Sequence, residues 1–181
     1  MSRMFITSNK GPMKLKLGHP VMSDKYNAVP FVLAANTPKE ILVGAALMTT
    51  DTQGTYAAVN TSGVVVTADN VNKVVGFALG NNAKVPTVFP AAGPDYLAAG
   101  EAGACLVDGA IAVKFAGEDA PLEEDKVYIV TASTVSDYAV GDITDGKTVG
   151  NVTKVQLPGW RFMGITDTDE GVTVTAIHRG Y

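Results

Sequence analysis

The chain has 181 residues, a formal net charge of −4, and only 18% charged residues against 46% hydrophobic ones. That length can bury a full core. There is no apolar run of about eighteen residues to span a membrane, and a single cysteine, Cys105, excludes an intrachain disulfide framework. The first seven residues lack the apolar stretch of a secretory signal, so synthesis in a cytoplasm is the expectation.

Residues 1–30 read as an extended, irregular N-terminal arm. Gly11-Pro12, Gly18-His19-Pro20 and Val29-Pro30 interrupt regular structure, because proline fixes φ and restricts its predecessor. Met13, Leu15 and Leu17 alternate with Lys14 and Lys16, the pattern of a short edge strand with a charged outer face. Charge is unevenly divided. Residues 1–40 carry +4, with Arg3, Lys10, Lys14, Lys16, Lys25 and Lys39 against Asp24 and Glu40, while residues 41–181 carry −8. The arm lacks the dense cation cluster that phosphate-backbone binding needs, so a protein surface is its expected partner rather than nucleic acid. Its candidate contact residues are Arg3, Phe5, Lys10, Lys14, Lys16 and Tyr26.

The body is expected to span 31–181. Thr37 to Glu40 has the form of a capping box with proline at the first helical position, but Gly44 follows so soon that only one helical turn is expected. Residues 63–67 and 71–79 read as strands, and 90–100 as a connector with one helical turn near 95–99. The clearest local expectation is a β-hairpin. Residues 103–107 and 110–115 are alternating apolar runs that flank Asp108-Gly109, the dipeptide suited to a type I′ turn. Residues 117–125 then pack five carboxylates (Glu118, Asp119, Glu123, Glu124, Asp125) into one loop. A loose repeat pairs Leu42 with Leu122, Tyr56 with Tyr138 and Gly76 with Gly164. It suggests two related strand modules, about 40–90 and 120–177, joined by the connector and hairpin. No stretch of helical length has helical periodicity, so the fold class is mostly β: a barrel-like or sandwich body of short antiparallel strands.

Chemistry is sparse. The two histidines, His19 and His178, and Cys105 are the only materials for a nucleophile–base pair, and Cys105 sits in a strand context that suits a small buried residue. Asp167-Thr168-Asp169-Glu170 and Asp142-Ile143-Thr144-Asp145 offer clustered oxygens of the kind calcium takes, but lack the EF-hand pattern and read more simply as polar turns. No catalytic, cofactor or metal residue is assigned. Trp160, the sole tryptophan, is expected in the core or as an interface plug.

The broken arm, the Asp108-Gly109 segment with Val113-Lys114-Phe115-Ala116-Gly117, and the module tails (75–78, 163–166, each followed by a Val-x-Val-like strand) together resemble the capsid decoration, or cement, proteins of tailed bacteriophages. The resemblance implies a non-enzymatic virion protein, made in the host cytoplasm. It would sit on the outer surface of the expanded capsid, bind the major capsid protein and join its neighbouring subunits, and associate with itself as a trimer. The rival expectations are a head-fibre base or tail-associated β protein that binds host-surface glycans, and a small hydrolase.

Overall fold

The computed structural model describes residues 14–21, 26–34, 41–59, 64, 66–80, 96–97, 100–169 and 171–180. Their elements, in chain order, are β1 (Asn27–Leu33), β2 (Ile41–Leu42), β3 (Ala46–Thr49), β4 (Thr55–Ala58), a 3₁₀ turn (Val71–Lys73), β5 (Val74–Ala78), β6 (Tyr96–Leu97), β7 (Ala102–Lys114), β8 (Glu123–Ser133), β9 (Ile143–Thr144), β10 (Val152–Asp169) and β11 (Val172–Arg179). The fold is mostly β, as the small β-branched composition implies. Residues 64, 66 and 67 are not in a strand, and 96–97 pair with 41–42 instead of forming a helical turn. The capping-box segment lies outside the described residues.

Asp108-Gly109 is not a hairpin turn. Residues 102–114 form one continuous strand, and Gly109 is the point at which that strand changes partners. Before it, β7 is flanked by β1 (Asn27 opposite Asp108, Val32 opposite Ala102) and by β5 (Phe77 opposite Leu106). From Gly109 onward it pairs with β11, from Arg179 opposite Gly109 to Val174 opposite Lys114. Folded back on itself, the strand would satisfy one side only. Extended, each half finds separate partners, and long-range pairing overrides the turn preference of the dipeptide. Gly109 keeps a positive φ of 114°, which lets the strand bend without leaving the ladder.

Two curved sheets therefore share β7. The first closes through β1, β4, β3, β5 and β7, because β1 pairs with both β4 and β7. A ring of five strands is narrow, and its interior holds Phe31, Leu33, Leu47, Ala58, Ala78 and Cys105, in which small residues offset the large ones. Pro30 is accommodated because β4 meets β1 only at Val32 and Leu33, which leaves the proline on an open edge. The second sheet runs β7, β11, β10, β8, β9, and a bridge from Phe115 to Ile143 brings β9 back beside the end of β7. Between the two lies the main core. Phe77 meets Trp160 edge-on at 4.8 Å, and Phe115 meets Phe162 at 5.8 Å, arrangements that favour aromatic pairs beyond area burial. The paired positions of the sequence repeat do not share settings: Tyr56 is in β4 and Tyr138 in a turn, while Gly76 is in β5 and Gly164 has a positive φ of 67° within β10.

Residues 14–21 lie on the body. Pro20 bridges Ile111, and the Gly18 N–H donates to the Ala112 carbonyl at 2.8 Å. Leu15 and Leu17 are buried with Ala112, Val174 and Ala176 on the outer face of β7 and β11. Their backbone N–H groups donate to side chains rather than to a ladder: Leu15 to Asp167 Oδ2 at 3.1 Å, Leu17 to Asp169 Oδ2 at 2.9 Å. Burying each leucine contributes about 1.5–3 kcal/mol, and each hydrogen bond about 1 kcal/mol. The leucines hold the segment down, and the carboxylates set its register.

Two substitutions test the packing. A Cβ on Gly76 would stand 1.8 Å from the Leu106 carbonyl oxygen, a backbone atom that cannot swing aside. Gly76→Ala is expected to lose about 3 kcal/mol or more, read as a lower urea midpoint. Trp160→Ala is expected to lose about 3–5 kcal/mol by the same measurement. A third test uses pH. Hydrogen bonds from the Thr168 and Leu15 N–H groups hold the Asp167 carboxyl below its usual range. A carboxylate with a depressed folded value stabilises the fold above its unfolded value, near 3.9, and that contribution disappears as pH falls through the folded value. The protection factor of the Leu15 amide, measured against its intrinsic exchange rate at each pH, is expected to fall over that acid window in the wild type, and Asp167→Asn to remove that dependence.

Candidate functional site

Of the six residues expected to meet a partner, Arg3, Phe5 and Lys10 lie outside the described residues. Lys14 and Lys16 flank the buried Leu15, and the alternation turns both to the exposed side, as the pattern predicts. Tyr26 is also exposed, but elsewhere. It precedes Asn27, which pairs with Asp108, whereas Gly18 bonds to Ala112. Four residues of β7 therefore separate the two places, about 13 Å along the strand. The structure brings Lys14 and Lys16 together and keeps Tyr26 apart from them.

The acidic loop has more order than its composition suggests. Asp125 accepts the Leu122 N–H on its carboxylate at 3.1 Å, and its own N–H donates back to the Leu122 carbonyl at 3.3 Å. Glu124 takes a left-handed φ of 68°, a cost that a non-glycine residue bears only when its surroundings fix it. The closed turn holds Leu122 in solvent at 72% exposure, the most exposed large hydrophobic side chain described. Sequence reading paired this residue with Leu42 in a repeat and missed its exposure, since a single leucine among carboxylates carries no periodicity. Asp119 reaches Lys147 at 2.7 Å, a contact that lowers the aspartate and raises the lysine. Both partners are exposed, so the pair adds little stability.

The oxygens weighed for calcium are otherwise engaged. Asp142 is buried and salt-bridged to Lys114 at 2.8 Å, and it also accepts the Ala139 N–H. Asp145 accepts the Lys147 N–H at 3.0 Å, and the Lys154 ammonium donates to the carbonyls of Asp145 and Lys147. An internal ammonium thus stands where a cation would be drawn. At the other turn, Asp167 and Asp169 receive the arm. Among the described residues, no three His, Cys, Asp or Glu side chains gather as a metal site.

Cys105 and His178 are not brought together. Cys105 faces the apolar interior of the five-strand ring, where burial pushes its thiol up to about 12, far from the depressed values of reactive thiols. His178 lies opposite Ala110, five residues further along β7, which corresponds to about 16 Å. It faces Glu124, with Nε2 3.5 Å from the carboxylate.

What the surface offers is therefore a charged arm base, a rigid acidic turn with an apolar tip, and a body closed by sheet. Among curated proteins none matches the chain. A solved structure described as "The capsid of Myoviridae Phage XM1" contains a chain of the same fold, 13% identical, with a TM-score of 0.61 over 98% of this chain and 97% of that one. The family model described as "Structural cement protein (E217 gp24/Pam3 gp6)" matches residues 16–177. That match takes in both curved sheets and the strand they share, and the protein accordingly belongs to the phage structural cement protein family.

Proposed function

We propose that this protein is a non-enzymatic cement that binds the outer surface of the expanded phage capsid and joins neighbouring major capsid subunits against the pressure of packaged DNA. The observation that carries this reading is the family match over residues 16–177. The neighbour of the same fold, from a phage capsid, supports it, as does the arm base with Lys14 and Lys16 outward. A clamp that binds only the expanded lattice stabilises that lattice by mass action. Association of the cement with itself, as a trimer, would add avidity without stronger single contacts. The arm is the proposed capsid contact, with Arg3 and Phe5 in its distal part and Lys14 and Lys16 at its base. Tyr26 is proposed as a separate contact.

Co-sedimentation tests the reading. The purified chain is expected to pellet saturably with expanded, undecorated shells and not with unexpanded ones; pelleting with neither, or equally with both, overturns it. A truncation must respect the fold, since Leu15, Leu17 and β1 belong to the body. Removal of residues 1–13 is expected to weaken shell binding at least about tenfold, or about 1.4 kcal/mol, with the β body still folded. Lys14→Glu with Lys16→Glu is expected to weaken binding in the same direction. Wild-type affinity should fall as salt rises from about 0.05 to 0.5 M if exposed lysines dominate; affinity indifferent to salt would move the contact to the arm's apolar side chains.

A further inference from the structure

β8 is paired on both sides for only part of its length. On one side β10 accompanies it from Ser133 to Glu123, while on the other β9 covers only Tyr128 and Ile129. Thr144 is opposite Tyr128, so a longer β9 would place Gly146 opposite Lys126. The chain leaves the sheet before it gets there. The Asp145 carboxylate accepts the Lys147 N–H, which closes a local turn, and the Lys154 ammonium holds the carbonyls of Asp145 and Lys147. Gly146 lies instead against the Tyr128 ring, where an added Cβ would stand 3.3 Å from a ring carbon.

This departure leaves a slot. A groove of about 570 Å³ separates residues 124–126 and Tyr128 from the 145–147 turn, a size within the range of binding clefts. Backbone direction inside it follows from Val130, whose N–H donates to the Asp142 carbonyl and whose carbonyl accepts the Gly141 N–H, both on the β9 side. At period two, the Lys126 N–H and carbonyl point the same way, into the groove. The open edge, residues 124–127, is about 13 Å long. Its surroundings are anionic: residues 118–126 and 145–147 carry six carboxylates against two ammonium groups, and the Lys154 ammonium behind the turn is taken up by carbonyls.

We propose that this slot takes an extended, basic segment of the capsid shell, which adds to β8 as a short strand in line with β9 and pairs with the Lys126 backbone. The identity of that partner rests on the cement reading, while the slot rests on the geometry of β8. In strand addition the main-chain hydrogen bonds give affinity and the flanking side chains give selectivity, here for cations. A second copy of this chain is a poor occupant. Two β8 edges joined antiparallel about Lys126 would set lysine against lysine, and the basic 14–17 segment is already fixed to its own body. Lys154 is then a positioning residue, because by holding the turn out of the sheet it keeps the slot open.

Hydrogen exchange of the full chain, free and bound to expanded, undecorated shells, tests this. Peptides covering 123–128 are expected to gain protection at the Lys126 amide on binding. Lys126→Pro removes that donor, which the alternation turns away from β10, and an edge position tolerates proline. It is expected to weaken pelleting at least about fivefold, and Glu123→Lys, at an exposed position, to weaken it in the same direction. Unchanged exchange over 123–128 in a wild-type chain that pellets overturns the slot and leaves the cement reading standing. A wild-type chain that pellets with no shell overturns that reading, and the capsid segment as occupant falls with it. Protection of 123–128 that rises with the concentration of the chain alone, without shells, also overturns the proposal, since the occupant is then a second copy. If Lys126→Pro does not fold, the exchange of the wild type decides by itself.

Discussion

The structure depends on the backbone hydrogen bonds of one strand. β7 serves two sheets in succession, first between β1 and β5, then beside β11 with residues 18–21 on its other side. Its buried side chains alternate between interiors: Cys105 faces the ring, while Leu106 faces the core shared by the two sheets. Buried backbone polar groups must be paired, so each sheet needs β7 to complete it. The aromatic pairs of Phe77 with Trp160 and Phe115 with Phe162 then fill the angle that the shared strand leaves between the sheets.

The same economy governs the surface charges. Several conspicuous carboxylates are bound within the chain itself: Asp142 to Lys114, Asp145 to the Lys147 amide, Asp167 and Asp169 to the arm. Asp125 closes its own turn. These bonds do local structural work, and they leave Glu118 and Glu123 as exposed acidic surface, with the exposed Glu124 also facing His178. An acidic body with a basic leader is thus resolved into paired and presented charge, a distinction that net charge cannot express.

Much of the β character was legible in the sequence, and the reasons are particular. Residues 172–176, with valine at alternate positions, open β11, and residues 71–79 contain β5. The arm's alternation was also legible, since Leu15 and Leu17 are buried while Lys14 and Lys16 are exposed. What the pattern could not say is that side-chain carboxylates replace a strand partner there. A hint existed, because Asp167 and Asp169 are spaced by two, as are Leu15 and Leu17. The hairpin was misread because Asp-Gly reports what the backbone tolerates, and pairing is decided by strands distant in sequence. Leu122 was invisible for a similar reason: its prominence comes from a turn closed by Asp125 and a left-handed Glu124.

A strand common to two sheets has a mechanical consequence. When the sheets are pulled apart along β7, the load runs through a single covalent backbone that crosses the junction without a loop. The ladders flanking each half are then loaded in shear, parallel to the strand, so their hydrogen bonds must fail together. Had Asp108-Gly109 been a hairpin turn, the same pull would have peeled the two arms apart one bond at a time. The unbroken passage at Gly109 turns a weak seam into a tie.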